Sequence, residues 1–383
     1  MPKTLIIDDD PDFLAMARRA MQGPLRASGH HFLFAASDDE ALACLRAEAG
    51  LDLVLVSLDS GAISGLALFR RLQGIRLRVP RIALTRQADV AVIRQAIHDG
   101  AADFLVKPVS GADLVATLDK VFADCQGRRN AWSAAAELSA VRREIEVAGD
   151  LQKRILPADF AHHPHLQVAA AIQPARQMSG DFYDYFELSP GRIALVVADV
   201  SGKGIPAAFY MAVARTLIRS TALRDDGPAA CLAHVNAVLC RHDIPNMFVS
   251  VFYGVLDTQT WRIDYANAGH LPPYHIRAAN GAVTRLEGGE GVVLGVTETE
   301  PYDQASLVLE PGDALFFYTD GLVEAFDVER NQFSDERLIG YLADNRDRTA
   351  HALAEDVFAF VNAFTGEAER SDDITSLVIK RFG

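Results

Sequence analysis

Five times between Thr4 and residue 122 a short run of β-type residues is followed by an amphipathic helical pattern, and after residue 158 that alternation stops. The β-type runs lie at 4–7, 31–35, 51–57, 81–85 and 103–106, and helical spacing follows at 11–22, 38–48, 66–73, 88–99 and 111–122. Strands that alternate with helices need crossover connections, so this stretch predicts a doubly wound α/β domain with a five-stranded parallel sheet. Beyond 158 the β-type runs are grouped (166–173, 182–188, 192–199, 247–256, 261–266, 305–309, 314–319, 374–380), and so are the helical patterns at 205–221, 228–240 and 348–364. Grouping of that kind predicts a layered α+β domain built on a β-sandwich. A chain of 383 residues has room for both and a connector, with boundaries at 1–122, 123–157 and 158–383.

The formal net charge of −14 argues against nucleic acid as a partner, because such binding relies on clustered Lys and Arg to displace phosphate counterions. No apolar run reaches bilayer length, and the N-terminus turns acidic at Asp8, so neither a membrane span nor a signal peptide is expected and a cytoplasmic location is. Cys44, Cys125, Cys231 and Cys240 are scattered without a C-x-x-C pair, which leaves no sign of a disulfide framework or zinc site.

In a doubly wound sheet the functional crevice lies at the carboxyl ends of the strands, and there the first domain places Asp8, Asp9, Ser57, Thr85 and Lys107. The segments Ile7-Asp8-Asp9-Asp10-Pro11, Ala83-Leu84-Thr85 and Gly100-Ala101-Ala102-Asp103-Phe104-Leu105-Val106-Lys107-Pro108 resemble a bacterial response-regulator receiver across the whole domain. The resemblance implies a phosphate-accepting Asp at the end of the third strand, where this chain has Ser57. A neutral hydroxyl neither attacks a phosphodonor as a carboxylate does nor ligates Mg²⁺ well. The expectation is a pseudo-receiver that keeps the fold and signals through its surface. Asp59, two residues on, is the alternative acceptor, and phosphorylation of Ser57 by a serine kinase is a further one.

In the connector, Ala131, Ala134, Leu138, Val141, Ile145, Ala148 and Ile155 follow three-four spacing, interrupted at Gln152. Such a seam is either the core-facing stripe of one helix or one half of a parallel coiled coil; charged residues on the other positions favour the coiled coil, and with it a homodimer. The run ending Leu151-Gln152-Lys153-Arg154-Ile155-Leu156-Pro157 resembles the leading helix of SpoIIE-group regulatory phosphatases, and Pro157 closes it.

Four carboxylates of the second domain stand at the ends of strongly apolar runs: Asp181, Asp199, Asp320 and Asp372. A turn or cap explains any one of them, but four in such places, with no Arg or His cluster beside them in sequence, point to oxygen-ligated Mg²⁺ or Mn²⁺. The segments Pro174-Ala175-Arg176, Gly180-Asp181-Phe182-Tyr183-Asp184, Ala198-Asp199-Val200-Ser201-Gly202-Lys203-Gly204, Asn267-Ala268-Gly269-His270, Tyr318-Thr319-Asp320-Gly321 and Asp372-Asp373-Ile374-Thr375 resemble the SpoIIE-like branch of the metal-dependent protein phosphatases. That resemblance implies a centre of two Mn²⁺ or Mg²⁺ ions. Asp181 and Asp199 would be its catalytic carboxylates, the Val200 carbonyl a further ligand, and Asp320 and Asp372 the rest of one ion's shell. Asp373 would be an auxiliary ligand. Paired cations lower the pKa of a shared water and neutralise phosphoryl oxygens, so no nucleophilic Cys or Ser is required. By the same resemblance Arg176, five residues before Asp181, would contact the substrate phosphate; a plain surface arginine is the other reading.

Ser201-Gly202-Lys203-Gly204 lacks P-loop spacing and reads as the turn that presents Asp199. His270 precedes a Pro-rich turn, which favours a structural role over proton transfer. Ser179 stands where the family often has glycine. The resulting expectation is a phosphoserine/phosphothreonine protein phosphatase, regulated by its first domain and acting on a phosphoprotein such as an anti-sigma-factor antagonist. The rivals are an inactive scaffold and a DNA-binding regulator, the second opposed by charge and by the lack of a helix-turn-helix.

Overall fold

The computed structural model describes residues 2–22, 31–48, 50–59, 61, 63, 65–74, 79–86, 90–160, 163–242 and 244–382, and divides into two compact units, Met1–Ser139 and Ala140–Gly383. Ser60 and the first two residues of the helix expected at 88–99 lie outside the described residues.

The first unit holds β1 (Lys3–Ile7), β2 (His31–Ala35), β3 (Leu53–Ser57), β4 (Arg81–Thr85) and β5 (Asp103–Val106), all parallel, in the order β2-β1-β3-β4-β5. Helices α1 (Pro11–Gln22), α2 (Asp38–Ala47), α3 (Leu66–Gly74), α4 (Val90–His98) and the start of α5 (Gly111–Ile155) supply the crossovers. Alternation along β1 and β3 explains why two cores result: Leu5, Ile7, Val54 and Val56 face one side with Phe69, whereas Ile6, Leu53 and Leu55 face the other with Phe13, Leu114 and Leu118. The doubly wound receiver-like fold is therefore as the sequence predicts.

Helix α5 runs unbroken for 45 residues through the expected boundary at 122. Gly and Pro are the residues that would stop it, and between Gly127 and Pro157 the only one is Gly149.

The second unit comprises two sheets. The first has the order β13-β10-β9-β8-β7, from β7 (Phe182–Ser189), β8 (Arg192–Val200), β9 (Val249–Asp257), β10 (Arg262–Ala268) and β13 (Glu290–Gly291), with β14 (Ala305–Val308) also on β10. The second has the order β12-β11-β15-β16-β6, from β6 (Leu166–Gln173), β11 (Tyr274–Ile276), β12 (Val283–Arg285), β15 (Ala314–Tyr318) and β16 (Ile374–Arg381). Period-two alternation sorts the second sheet. Leu315, Phe317, Leu377 and Ile379 pack inward against the first sheet, while Phe316, Tyr318 and Val378 pack outward beneath α9 (Ser334–Asp344) and α10 (Ala350–Thr365). Helices α6 (Ile205–Ala222) and α7 (Pro228–His242) cover the other face of the first sheet through Tyr210, Met211, Leu232 and Val235. The result is a helix–sheet–sheet–helix sandwich, the layered α+β domain expected. Helix α9 and the short strands β11 to β13 were not legible from periodicity. Among the described residues no helix is long and apolar enough to cross a membrane.

Candidate functional site

Each of the four aspartates of the second unit sits where a buried strand ends or begins. Asp181 precedes β7, Asp199 is the penultimate residue of β8, Asp320 follows β15 and opens the one-turn helix α8 (Asp320–Val323), and Asp372 lies two residues before β16. Because β15 and β16 pair in antiparallel register, Tyr318 opposite Ser376, the ends carrying Asp320 and Asp372 are brought side by side. Similarly β7 pairs with β8, Phe182 opposite Ala198, which aligns Asp181 with Asp199.

Asp181 is 1 % exposed. Its Oδ2 accepts hydrogen bonds from Thr319 Oγ1 at 2.6 Å and Thr375 Oγ1 at 2.7 Å, and Thr375 N–H donates to Thr319 Oγ1 at 3.0 Å. Two threonines from the second sheet thus fix a carboxylate of the first. Burial, and then the neighbouring Asp199 charge, hold the Asp181 carboxyl well above the usual carboxylate range. Asp199 is pushed up to about 7 by burial and by Asp320, against a hydrogen bond with Asp181. Asp320 is raised by burial and by Asp372. Like charges brought together out of water are costly unless a cation meets them.

Asp373 is engaged differently. Its Oδ1 accepts from Ala175 N–H at 2.7 Å, and its Oδ2 from Ser179 Oγ at 2.9 Å and Gly180 N–H at 2.8 Å. Asp181 N–H in turn donates to Ser179 Oγ at 3.1 Å. Asp373 therefore ties down the 175–181 loop, and the hydroxyl of Ser179, absent from a glycine, completes the tie. At Gly180 an added Cβ would come 3.0 Å from the Val200 carbonyl oxygen, so the absent side chain lets the loop lie against the end of β8.

The loop is gripped from a second side. Buried Gln152 of α5 donates through Nε2 to the Ser179 carbonyl at 2.6 Å and accepts the Ser179 N–H on Oε1 at 2.9 Å. The residue that interrupts the heptad seam is thus the one that reads the loop.

Arg176 is exposed, with its guanidinium beside Gly204 in the turn after β8. In that turn Lys203 Nζ pairs with Asp372 Oδ2 at 2.7 Å and donates to the Ser371 carbonyl. Buried His270 has Nδ1 2.8 Å from Ser250 Oγ, and burial lowers its pKa to about 4, so it is neutral near pH 7. Asn267 accepts the His270 N–H at 2.7 Å and donates to its carbonyl at 2.9 Å, which makes 267–270 a closed turn. Behind the site, Asp184 is 1 % exposed and pairs with Arg215 at 3.0 Å and Arg219 at 2.9 Å, anchoring α6 to β7.

The donor set suits Mn²⁺ or Mg²⁺: carboxylate oxygens of Asp181, Asp199, Asp320 and Asp372 and the carbonyl of Val200, with no thiol or imidazole among them. Among the described residues no three carboxylate, imidazole or thiol groups already converge as a finished coordination set. Asp372 has Oδ1 on the Asp373 N–H and Oδ2 on Lys203.

In the first unit, buried Asp8 pairs with Lys107 Nζ at 2.6 Å, and Lys107 also approaches Asp10 at 3.4 Å. Ser57 is buried at the end of β3, and Asp9 accepts the Gly61 N–H at 3.1 Å. Asp59 Oδ2 accepts from the Thr85 hydroxyl and the Arg86 N–H, while the Arg86 side chain pairs with Asp10 at 3.0 Å. The crevice thus contains Asp8, Ser57, Thr85 and Lys107, but the carboxylate that engages Thr85 is Asp59.

Fold and geometry define the chain as a receiver-type α/β unit followed by a two-sheet, helix-covered sandwich with a carboxylate cluster at its strand ends. A family profile for stage II sporulation protein E (SpoIIE) matches residues 189–382, and one for the response regulator receiver domain matches residues 4–119. The chain belongs to the SpoIIE family.

It is 30 % identical over 267 residues to protein IcfG of Synechocystis sp., covering 63 % of this chain and 42 % of IcfG. With the phosphoserine phosphatase RsbU of Bacillus subtilis it shares 28 % identity over 241 residues, 63 % of this chain and 71 % of RsbU. The chain thus spans less than half of IcfG's length. The SiaA-PP2C domain of Pseudomonas aeruginosa superposes with a TM-score of 0.56 at 23 % identity, covering 65 % of this chain and all of that domain, a likeness of fold.

Proposed function

We propose that the chain is a protein phosphatase that hydrolyses phosphoserine or phosphothreonine with two Mn²⁺ or Mg²⁺ ions held by Asp181, Asp199, Asp320, Asp372 and the Val200 carbonyl. The observation that carries this reading is the carboxylate cluster, in which Asp181 is buried, Asp199 and Asp320 are partly buried, and the charges repel one another. Bound there, the ions would supply an activated water and charge neutralisation for a phosphoryl group. The chain's own part is to hold Asp181 through Thr319 and Thr375 and to fix the loop through Asp373 and Gln152. Arg176 would meet the phosphate from beside Gly204.

The substrate we infer is a phosphorylated anti-sigma-factor antagonist, in line with the phosphoserine phosphatase activity in RsbU's name. The first unit would be a regulator, not a phosphoacceptor. A homodimer through α5 is supported by the seam itself, since Leu138, Val141 and Ile155 are 54 %, 51 % and 43 % exposed.

The test is release of phosphate from a phosphoserine protein with saturating Mn²⁺. Asp199→Ala is expected to lose at least about a hundredfold in rate. Equal release by both proteins, or none by either, rejects the enzymatic reading in favour of a binding scaffold.

A further inference from the structure

Lys203 places a cation at the edge of the carboxylate cluster. Its ammonium is 2.7 Å from Asp372 Oδ2 and is bonded to the Ser371 carbonyl. The side chain comes from the Ser201–Gly204 turn that follows β8, so the strand end that delivers Asp199 also delivers the cation that holds another carboxylate. With Oδ1 taken by the Asp373 N–H and Oδ2 by Lys203, both carboxylate oxygens of Asp372 are already engaged.

We propose that Lys203 is a tethered cation that competes with a divalent metal for Asp372 and so weakens metal binding at this site. This rests on the reading of the carboxylates as metal ligands.

The physical case is one of charge. A metal approaching Asp372 must displace the ammonium from Oδ2 or share the carboxylate with it, and in either case it meets a positive charge within a few ångströms. The pair is only partly buried, 38 % and 35 % exposed on the two side chains, so water screens the interaction and the effect is moderate. Removing the charge should tighten Mn²⁺ binding by roughly three- to tenfold. Arginine keeps the charge and should keep the weaker affinity.

The experiment is calorimetric titration of MnCl₂ into the full chain, stripped with EDTA, as wild type, Lys203→Gln and Lys203→Arg. The expected result is tighter binding by Lys203→Gln and near wild-type binding by Lys203→Arg. Unchanged or weaker binding by Lys203→Gln overturns the proposal, and weaker binding assigns Lys203 instead to orienting Asp372 for the metal. Absence of Mn²⁺ binding by the wild type rejects the metal-site reading itself, and this proposal with it. A circular-dichroism melt in EDTA checks that the variant is folded; Lys203→Met is the second variant, read in the same way.

Discussion

Asp199 carries the clearest electrostatic signature at the level of single residues. Its folded-state pKa lies near 7, above the ordinary carboxylate value, because burial and Asp320 disfavour its charge. The folded chain therefore binds more protons than the unfolded chain between about pH 4 and 7, and stability must fall as pH rises through that window. In EDTA the melting temperature is expected to drop by roughly 5 °C or more between pH 5 and 7.5. Saturating Mn²⁺ should remove most of that drop, and Asp199→Asn should flatten it without metal. A melting temperature independent of pH in EDTA would show that the carboxylates are not strained. The positions of Asp181, Asp199, Asp320 and Asp372 were legible because each stands just before or at the end of an apolar run. Their supports were not: Thr319 and Thr375 are 56 residues apart and meet only because β15 pairs with β16. Lys203 likewise gave no sign, since its partner Asp372 is 169 residues away.

At the level of elements, the decisive surface is the last two turns of α5. Gly149 and Gln152, three residues apart, share a helix face and meet the 177–179 loop together. Replacing a helical glycine by alanine ordinarily stabilises by about 1 kcal/mol. Here an added Cβ would stand 2.3 Å from the Gln177 carbonyl oxygen, a backbone atom, so the loop or the helix must move. Gly149→Ala is thus expected to destabilise the second unit and to lower Mn²⁺ affinity. Gln152→Ala strands both backbone groups of Ser179 in a buried site, at a cost of about 1–3 kcal/mol for each unpaired group. Its rate is expected to fall 10- to 100-fold, the range for residues that orient metal ligands. Wild-type rate and metal affinity in both variants would show that the helix merely abuts the loop. The sequence showed Gln152 as a flaw in a hydrophobic repeat; that the flaw is a contact depends on tertiary structure. The strands and most helices were legible because alternation and 3.6-residue spacing survive burial. Strands β11 to β13 were not, being only two or three residues long.

For the molecule as a whole, the proposed regulation by the receiver-type unit would have to work without ordinary phosphotransfer. Ser57 occupies the acceptor position, and Asp59, two residues on, already accepts from Thr85 and the Arg86 backbone. Acetyl phosphate should leave no stable label on the full chain; a label that vanishes in Asp59→Asn would make Asp59 the acceptor. What the first unit does share with the second is α5, and the seam along that helix offers a physical means of control. Leu138 and Val141 are about half exposed within a single chain, so charging them costs the monomer little, because surface substitutions away from packed contacts shift stability by only about 0.5 kcal/mol. In a parallel coiled coil the same positions are buried between two chains, and aspartate there would face its own copy across the axis. Leu138→Asp combined with Val141→Asp is therefore expected to convert a dimer to a monomer in sedimentation while leaving the melting of the second unit unchanged. If control runs through dimerisation, the monomer should lose phosphatase rate without losing Mn²⁺ affinity. A wild type that sediments as a monomer would return the seam to an unpaired helix surface. A dimer that survives both substitutions would place the interface elsewhere on the chain, with the apolar groove between α5 and α6, where Phe209 is 71 % exposed, as the next surface to substitute.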